Sequence, residues 1–128
     1  MSRFTWPSIE QVIAVHDASI ARFGGLSGVR DRGLLEASLA RPFASFAGVD
    51  AFPDDVARAC AMAHAIISSH PFADGNKRTG TAVLGMVLRA NGLHFKPRHD
   101  ELLQTIMGVA SGKTSLDELT CWVRTQLG

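Results

Sequence analysis

The chain has 128 residues, and 13 lysines and arginines against 12 aspartates and glutamates give it a formal net charge of +1. This length suits one compact domain, and 46% hydrophobic with 20% charged residues exclude an extensively disordered chain. The near-neutral charge argues against nucleic acid or an anionic membrane as a partner, and no apolar run is long enough to span a membrane. Met1–Pro7 has no signal-peptide pattern, so we expect a cytoplasmic protein with two buried thiols, Cys60 and Cys121.

Hydrophobic spacing predicts helices along most of the chain. The first helix is expected to begin at a capping box formed by Ser8 and Gln11 and to end at Gly24-Gly25. A second helix is expected from the Asp31 cap to the residues just before Pro42. Both helices therefore carry a sequence signal at each end.

The segment from Pro42 to Pro53 lacks a helical stripe and contains several phenylalanines. We predict that it is a loop or a short hairpin on the surface. Its aromatic side chains would then be exposed unless a partner binds them.

The second half of the chain also predicts helices. Pro53 followed by two aspartates is typical of a helix start, and the Ala-rich run after it is expected to end near His70-Pro71. A fourth helix is predicted from about Asn76 to Ala90. Apolar spacing predicts two more helices, within residues 102–109 and 116–127, after a brief extended piece at 93–96. The expected fold class is all-α, with about six helices in one domain spanning residues 1–128.

The most informative segment is the junction between the third and fourth helices, which has the sequence HPFADGNKRTG from residue 70. The first backbone N–H groups of a helix have no internal partner and carry partial positive charge, so they can bind an anion. Gly75 allows close backbone approach or a positive φ, and Asn76 is a good helix cap that can also hydrogen-bond a phosphate oxygen. Lys77 and Arg78 add a point charge and a rigid fork that suit phosphate oxygens.

Two further side chains of the junction add chemistry to this predicted anion site. Asp74 would repel phosphates unless a divalent cation lay between them, and Mg²⁺ held by one carboxylate and by substrate phosphates is the usual arrangement. The imidazole of His70 can accept a proton near neutral pH, which suits a general base acting on an alcohol. The same residue types also occur in ordinary helix–loop–helix turns, but such a turn needs neither a base nor two cations.

This junction resembles the signature of the Fic/Doc family, His-x-Phe-x-(Asp/Glu)-(Gly/Ala)-Asn-(Gly/Lys)-Arg. Every defining position is matched, by His70, Phe72, Asp74, Gly75, Asn76, Lys77 and Arg78. Upstream, residues 28–36 and Arg41-Pro42 resemble the N-terminal part of the Doc (death-on-curing) branch of toxins. The resemblance covers nearly the whole chain and implies the Fic fold.

The resemblance also implies roles for the motif residues. His70 would deprotonate a target hydroxyl, Asp74 would bind Mg²⁺, and Phe72 would anchor the loop in the core. The phosphates of ATP would be held by Gly75, Asn76, Lys77 and Arg78. A flap ahead of the motif would align the target by strand addition, and residues 42–53 are the candidate by position.

Position 77 separates two branches of the family. AMP-transferring members usually have Gly there, whereas Doc members have Lys, which is associated with a reversed ATP and transfer of its terminal phosphate. Lys77 thus favours phosphoryl transfer to a Ser or Thr of a host protein, with a translation factor such as an elongation factor as the leading guess. His-Pro-Phe and Gly75 resemble the AMP-transferring pattern, so AMP transfer is the alternative. A non-catalytic helical module that binds nucleotide or a partner is the third interpretation.

Regulation is expected to come from another chain. Many Fic proteins carry an inhibitory helix with (Ser/Thr)-x-x-x-Glu-(Gly/Asn), and the nearest match here, Thr114 to Glu118, is followed by Leu119. Ser115 and Glu118 are better explained as a capping box for the last helix. The resemblance to toxins therefore implies a separate antitoxin.

The remaining candidates have simpler explanations. His64 is expected to be a packed or hydrogen-bonded core histidine, and the cysteines and histidines lack zinc-site spacing. Arg30, Asp31 and Arg32 are expected to be a helix cap with solvated charges. A basic cluster is expected to be solvated surface, with steering of a nucleotide or acidic target as the lesser alternative; its members are His94, Lys96, Arg98 and His99.

Overall fold

The computed structural model describes residues 4–128. The prediction that Met1–Pro7 has no signal-peptide pattern therefore lies partly outside the described residues. Helices and two very short strands make up the described chain. In order they are α1 (Ile9–Phe23), α2 (Arg32–Ala40), a 3₁₀ turn (Arg41–Phe43), β1 (Ser45–Phe46), β2 (Val49–Asp50), α3 (Asp55–Ser69), α4 (Asn76–Ala90), α5 (His99–Ala110) and α6 (Leu116–Thr125). The prediction of an all-α fold with about six helices is confirmed.

The centre of the molecule is α3, which packs against α4 and also contacts α2, α5 and α6, while α1 packs on α4. Its buried side chains are mostly small, which allows neighbouring helices to approach closely. They are Ala57, Ala59, Cys60, Ala61, Met62, Ala63, Ile66 and Ile67. At the contact with α4, a Cβ on Gly80 would lie 2.5 Å from Cγ1 of Ile67, so this crossing requires glycine. The junction that carries the motif is thus the connection between the two helices at the middle of the fold.

The predicted helix caps are observed. Ser8 and Gln11 form a reciprocal capping box on α1, and the Asp31 carboxylate accepts the Leu34 backbone N–H at the start of α2. Asp54 caps α3 in the same way. Orphan N–H groups at these helix starts are therefore satisfied by the side chains that the sequence placed there.

The segment 42–53 contains a hairpin, which was one of its two predicted forms. Ser45 pairs with Asp50 and Phe46 with Val49, and the turn between them has positive φ at Ala47 and Gly48. Phe46 is 85% exposed and Val49 is 69% exposed. The hairpin therefore presents apolar side chains to solvent.

The C-terminal region adds a short extended pairing. Phe95 and Leu127 form an isolated antiparallel bridge, and the Gly128 backbone N–H donates to the His94 carbonyl oxygen at 3.1 Å. This confirms the extended piece predicted at 93–96. No helix within residues 4–128 has both the length and the apolarity needed to cross a membrane.

The prediction of two buried thiols is half right. Cys60 is buried, and desolvation raises the pKa of its thiol to about 12. Cys121 is exposed, because α6 turns Leu119 and Val123 toward the core and leaves Cys121 on its outer side.

Candidate active site

The motif loop, residues 70–75, leaves α3 at a strained residue. His70 has φ 53° and ψ 60°, in the left-handed region, directly after the last helical residue, Ser69. Pro71 follows, and a residue before proline is disfavoured in the α conformation, so the helix has to end here. The imidazole of His70 is exposed and forms no hydrogen bond within residues 4–128. It is therefore accessible to a substrate hydroxyl.

Phe72 anchors the motif loop in the core, as the resemblance implied. It is 1% exposed, and its ring stacks on the buried imidazole of His16 with 3.9 Å between the ring centroids. Nε2 of His16 also lies 2.8 Å from the carbonyl oxygen of Asp74 and hydrogen-bonds to it. The His16 side chain of α1 thus fixes the loop at two points, the Phe72 ring and the Asp74 carbonyl group.

Asn76 closes the loop from the inside. Its Oδ1 accepts the Phe72 backbone N–H and its Nδ2 donates to the Phe72 carbonyl oxygen, both at 3.0 Å. The cap of α4 is Gly75, at φ 74°, so the prediction of Asn76 as the cap was wrong. The reason is that Asn76 is the first helical residue and is 8% exposed, with its amide turned toward the loop backbone. What Asn76 offers a phosphate is therefore chiefly its backbone N–H.

Asp74 is exposed, and both of its carboxylate oxygens accept backbone hydrogen bonds. Oδ2 accepts from the Leu26 N–H at 3.1 Å and Oδ1 from the Gly75 N–H at 2.8 Å. These two bonds hold the pKa of the Asp74 carboxyl below its usual range, and the bond from Leu26 has the larger effect. The positive charge of Arg78 lowers this pKa further. The group is therefore ionised at neutral pH and fixed in direction.

The N-terminus of α4 presents donors and cations. The backbone N–H groups of residues 76–78 have no partner within the described residues, as expected for the first turn of a helix. Lys77 is exposed. The guanidinium of Arg78 donates to the Gly24 carbonyl oxygen at 3.1 Å and lies over the Phe23 ring. Its other donors form no hydrogen bond within residues 4–128.

Lys77 and Arg78 also border a cleft of about 1050 Å³ between α1, α4 and α5. The walls are apolar, with Val15, Phe23, Phe95, Leu102, Leu103, Ile106 and Met107 among them. Basic side chains lie along it, namely Arg22, Lys77, Arg78, Arg89, His94, Lys96 and His99. Three members of the predicted basic cluster thus face the same cleft as the motif cations, while Arg98 pairs with Asp100.

Asp74 suits a magnesium ion held by one protein ligand. A carboxylate has about four lone-pair sites, and the two backbone bonds to Asp74 leave a site on each oxygen. No cluster of three or more His, Cys, Asp or Glu side chains within residues 4–128 could hold a metal by itself. The remaining ligands of such an ion would therefore have to be phosphate oxygens and water.

Arg30 makes a contact that the sequence did not indicate. Asp31 is the predicted cap and Arg30 is exposed, as expected, but the Arg30 guanidinium also donates to the carbonyl oxygens of His70 and Ser69. This bond joins residues 40 positions apart, and nothing in the local sequence indicates it. His16 is a second such residue, because nothing in the sequence around it signals its contact with the motif.

Two other candidates behave as predicted. His64 is half-buried on α3, where burial lowers its pKa and Ser68 is its hydrogen-bonding neighbour. Ser115 and Glu118 form the capping box of α6, so the Glu118 side chain is engaged at its own helix start.

Comparison with known proteins gives consistent matches. A model described as the Fic/DOC family matches residues 6–88, which include the whole motif. The sequence is 34% identical over 121 residues to the Protein kinase doc of Escherichia phage P1, covering 94% of each chain. It is 42% identical over 78 residues to the Toxin Doc of Mycolicibacterium smegmatis, covering 61% of this chain and 60% of that protein. The second match therefore spans less than two thirds of the mycobacterial protein.

Proposed function

Because the chain belongs to the Fic/DOC family, on its Doc branch, we propose that it is a toxin that transfers the terminal phosphate of ATP to a Ser or Thr hydroxyl of a host protein. The names of its two relatives, Toxin Doc and Protein kinase doc, support this proposal. The observation that carries it is the exposed imidazole of His70 at the start of the loop that leads into the cationic N-terminus of α4. A module that only bound phosphate would need no base at this place.

His70 is the general base of the proposed reaction. Its imidazole accepts the proton of the target hydroxyl as the oxygen attacks phosphorus and the bond from phosphorus to the leaving oxygen breaks. In-line attack requires the nucleophile, phosphorus and leaving group to be aligned. The phosphorus that faces His70 is therefore the one transferred.

The first turn of α4 is the proposed phosphate site. Its unpaired N–H groups, the Lys77 ammonium and the free donors of Arg78 all favour negative charge. Lys77 places a side chain where an open glycine would accommodate the diphosphate of ATP, so we infer that the terminal phosphate lies nearest His70. Transfer of AMP is the alternative, supported by His-Pro-Phe and Gly75 in the motif.

Asp74 is the proposed magnesium ligand. When bound, Mg²⁺ would neutralise phosphate charge and so allow a carboxylate to lie beside the nucleotide. The chain contributes an ionised carboxylate at a fixed position, since Leu26 and Gly75 hold both oxygens.

The target protein is proposed to bind at the hairpin of residues 45–50. Its strands are only two residues each, and an added strand would extend them while covering Phe46 and Val49. A protein of translation, such as an elongation factor, is the leading candidate by family resemblance.

An antitoxin is the second proposed partner. The cleft between α1, α4 and α5 suits an amphipathic segment, with apolar residues for its walls and acidic residues for its basic edge. A segment bound there would lie against Lys77 and Arg78 and would hinder nucleotide binding. Inhibition by a separate chain is consistent with Glu118 being engaged at Ser115.

Replacement of the base tests this proposal. His70→Ala should lower transfer of label from ATP to acceptor proteins of a cleared bacterial lysate by about 100-fold or more, and should abolish growth arrest in a host without antitoxin. Unfolding should be little changed because the imidazole is exposed. His64→Ala is the matched control, because it removes another histidine, which lies on α3 outside the site. A folded His70→Ala chain that transfers label at the wild-type rate would refute the assignment.

A further inference from the structure

The α1–α2 loop, residues 24–31, runs alongside the motif loop in the opposite direction. Val29 and Phe72 form an antiparallel bridge, and the Ala73 backbone N–H donates to the Gly28 carbonyl oxygen at 3.1 Å. Two contacts described above, of Gly24 with Arg78 and of Leu26 with Asp74, also join the α1–α2 loop to the motif. The two loops therefore form one hydrogen-bonded unit, in which the first supports the second.

This pairing brings Arg30 next to His70. The backbone N–H groups of Arg30 and Asp31 both donate to the Pro71 carbonyl oxygen, at 2.8 and 3.0 Å. The backbone of residue 30 is thus fixed by bonds that do not depend on its side chain. The Arg30 side chain therefore extends from a fixed backbone position beside Pro71, the residue that follows the proposed base.

The guanidinium binds the end of α3 at two carbonyl groups. Nε and Nη2 of Arg30 donate to the His70 carbonyl oxygen at 2.8 and 2.5 Å, and Nη2 also donates to the Ser69 carbonyl oxygen at 3.1 Å. The last carbonyls of a helix have no partner inside it, and cations are favoured at this end by the helix dipole. Arg30 therefore fills a C-terminal capping role that the chain sequence around His70 does not supply.

His70 needs such support because its backbone is strained. Left-handed φ is costly for a residue with a Cβ, and it persists only where the surroundings enforce it. The orientation of the Cα–Cβ bond, and hence of the imidazole, follows from this backbone conformation. A shift of the base by about 1 Å can lower a reaction rate by roughly 100-fold.

We propose that Arg30 is a positioning residue for His70, whose guanidinium holds the left-handed backbone that aims the imidazole at the substrate. The catalytic part of this inference rests on the proposed function, while the structural part does not. Asp74 and Arg78 are held by Leu26 and Gly24, so loss of the Arg30 side chain should leave the phosphate and magnesium sites intact.

The test compares Arg30→Ala with two other variants in nuclear magnetic resonance and in transfer kinetics. Arg30→Lys keeps the charge but not the fork, and Arg32→Ala removes a neighbouring exposed arginine that makes no side-chain hydrogen bond or ion pair within residues 4–128. In Arg30→Ala, the His70 imidazole signals and the backbone amide signals of Ser69 and His70 should shift, while the amide signals of residues 76–78 stay unchanged. Transfer kcat should fall roughly 10- to 100-fold with less than about a twofold change in KM for ATP.

Arg30→Lys should give an intermediate kcat, and it decides the question if Arg30→Ala does not fold. Arg32→Ala should match the wild type in both measurements. His70 signals unchanged in folded Arg30→Ala, or a kcat loss matched by Arg32→Ala, would overturn the inference. A wild-type chain that transfers no label would instead overturn the proposed function, and the resonance comparison would still decide the role of Arg30.

Discussion

At the scale of single residues, the motif is held by backbone and side-chain groups from other parts of the chain. Asp74 receives its second hydrogen bond from Leu26, and its own carbonyl is held by His16 of α1. The sequence could predict which residue types form the site, because a base, a carboxylate and two cations lie within nine positions. It could not predict His16 or Arg30, because their partners are 58 and 40 residues away.

The hydrogen bonds to Asp74 predict an acid-dependent part of the stability. A folded-state pKa below the unfolded value contributes stability above the usual carboxyl range, and this is lost as the pH falls through the folded pKa. The free energy of unfolding of the wild type should therefore decrease more steeply below about pH 4 than that of Asp74→Asn. Urea unfolding from pH 3 to pH 7 measures this. Asp117→Asn, an exposed aspartate of α6, serves as the control, and identical pH slopes for all three chains would contradict the prediction.

At the scale of elements, the helix boundaries followed from local chemistry. Capping side chains at Ser8, Asp31 and Ser115 and the proline after His70 act within a few residues, so the sequence contains them in full. The starts of α5 and α4 were exceptions: α5 begins at His99 without a capping side chain, and α4 does not use its predicted cap. Gly75 caps α4 because the Asn76 side chain hydrogen-bonds to both backbone groups of Phe72 in the motif loop. The general preference for Asn at helix caps does not take such a contact into account.

The hairpin gives a prediction about target binding. Phe46→Ser should raise the KM for the protein acceptor about tenfold or more, since removal of a buried aromatic contact at an interface costs a few kcal/mol. ATP affinity and unfolding should be unchanged, because this side chain is 85% exposed and distant in sequence from the motif. Steady-state transfer at varied acceptor concentration, with calorimetry of ATP binding, measures both. Leu26→Ser is the control, because this side chain is also exposed and the substitution keeps the backbone hydrogen bond to Asp74. Phe23→Ser is unsuitable because that ring contacts Arg78. A Phe46→Ser chain with wild-type acceptor kinetics would show that the target binds elsewhere.

At the scale of the whole molecule, the fold places one loop between its two central helices and supports it from α1 and the α1–α2 loop. The phosphate donors at the start of α4 and the cleft beside them share Lys77 and Arg78. An antitoxin bound in this cleft, as proposed above, would therefore compete with the proposed nucleotide at Lys77 and Arg78.

The direction in which ATP binds decides which phosphorus is transferred, and labelled ATP distinguishes the two directions. The wild-type chain is incubated with Mg²⁺ and the acceptor proteins of a cleared lysate, in parallel with ATP labelled at the α-phosphate and at the γ-phosphate, and with His70→Ala as the blank. If Lys77 sets the terminal phosphate against His70, only the γ-label should enter protein, on Ser or Thr, and only with His70 present. Transfer of the α-label would contradict the account and would assign AMP transfer to this site.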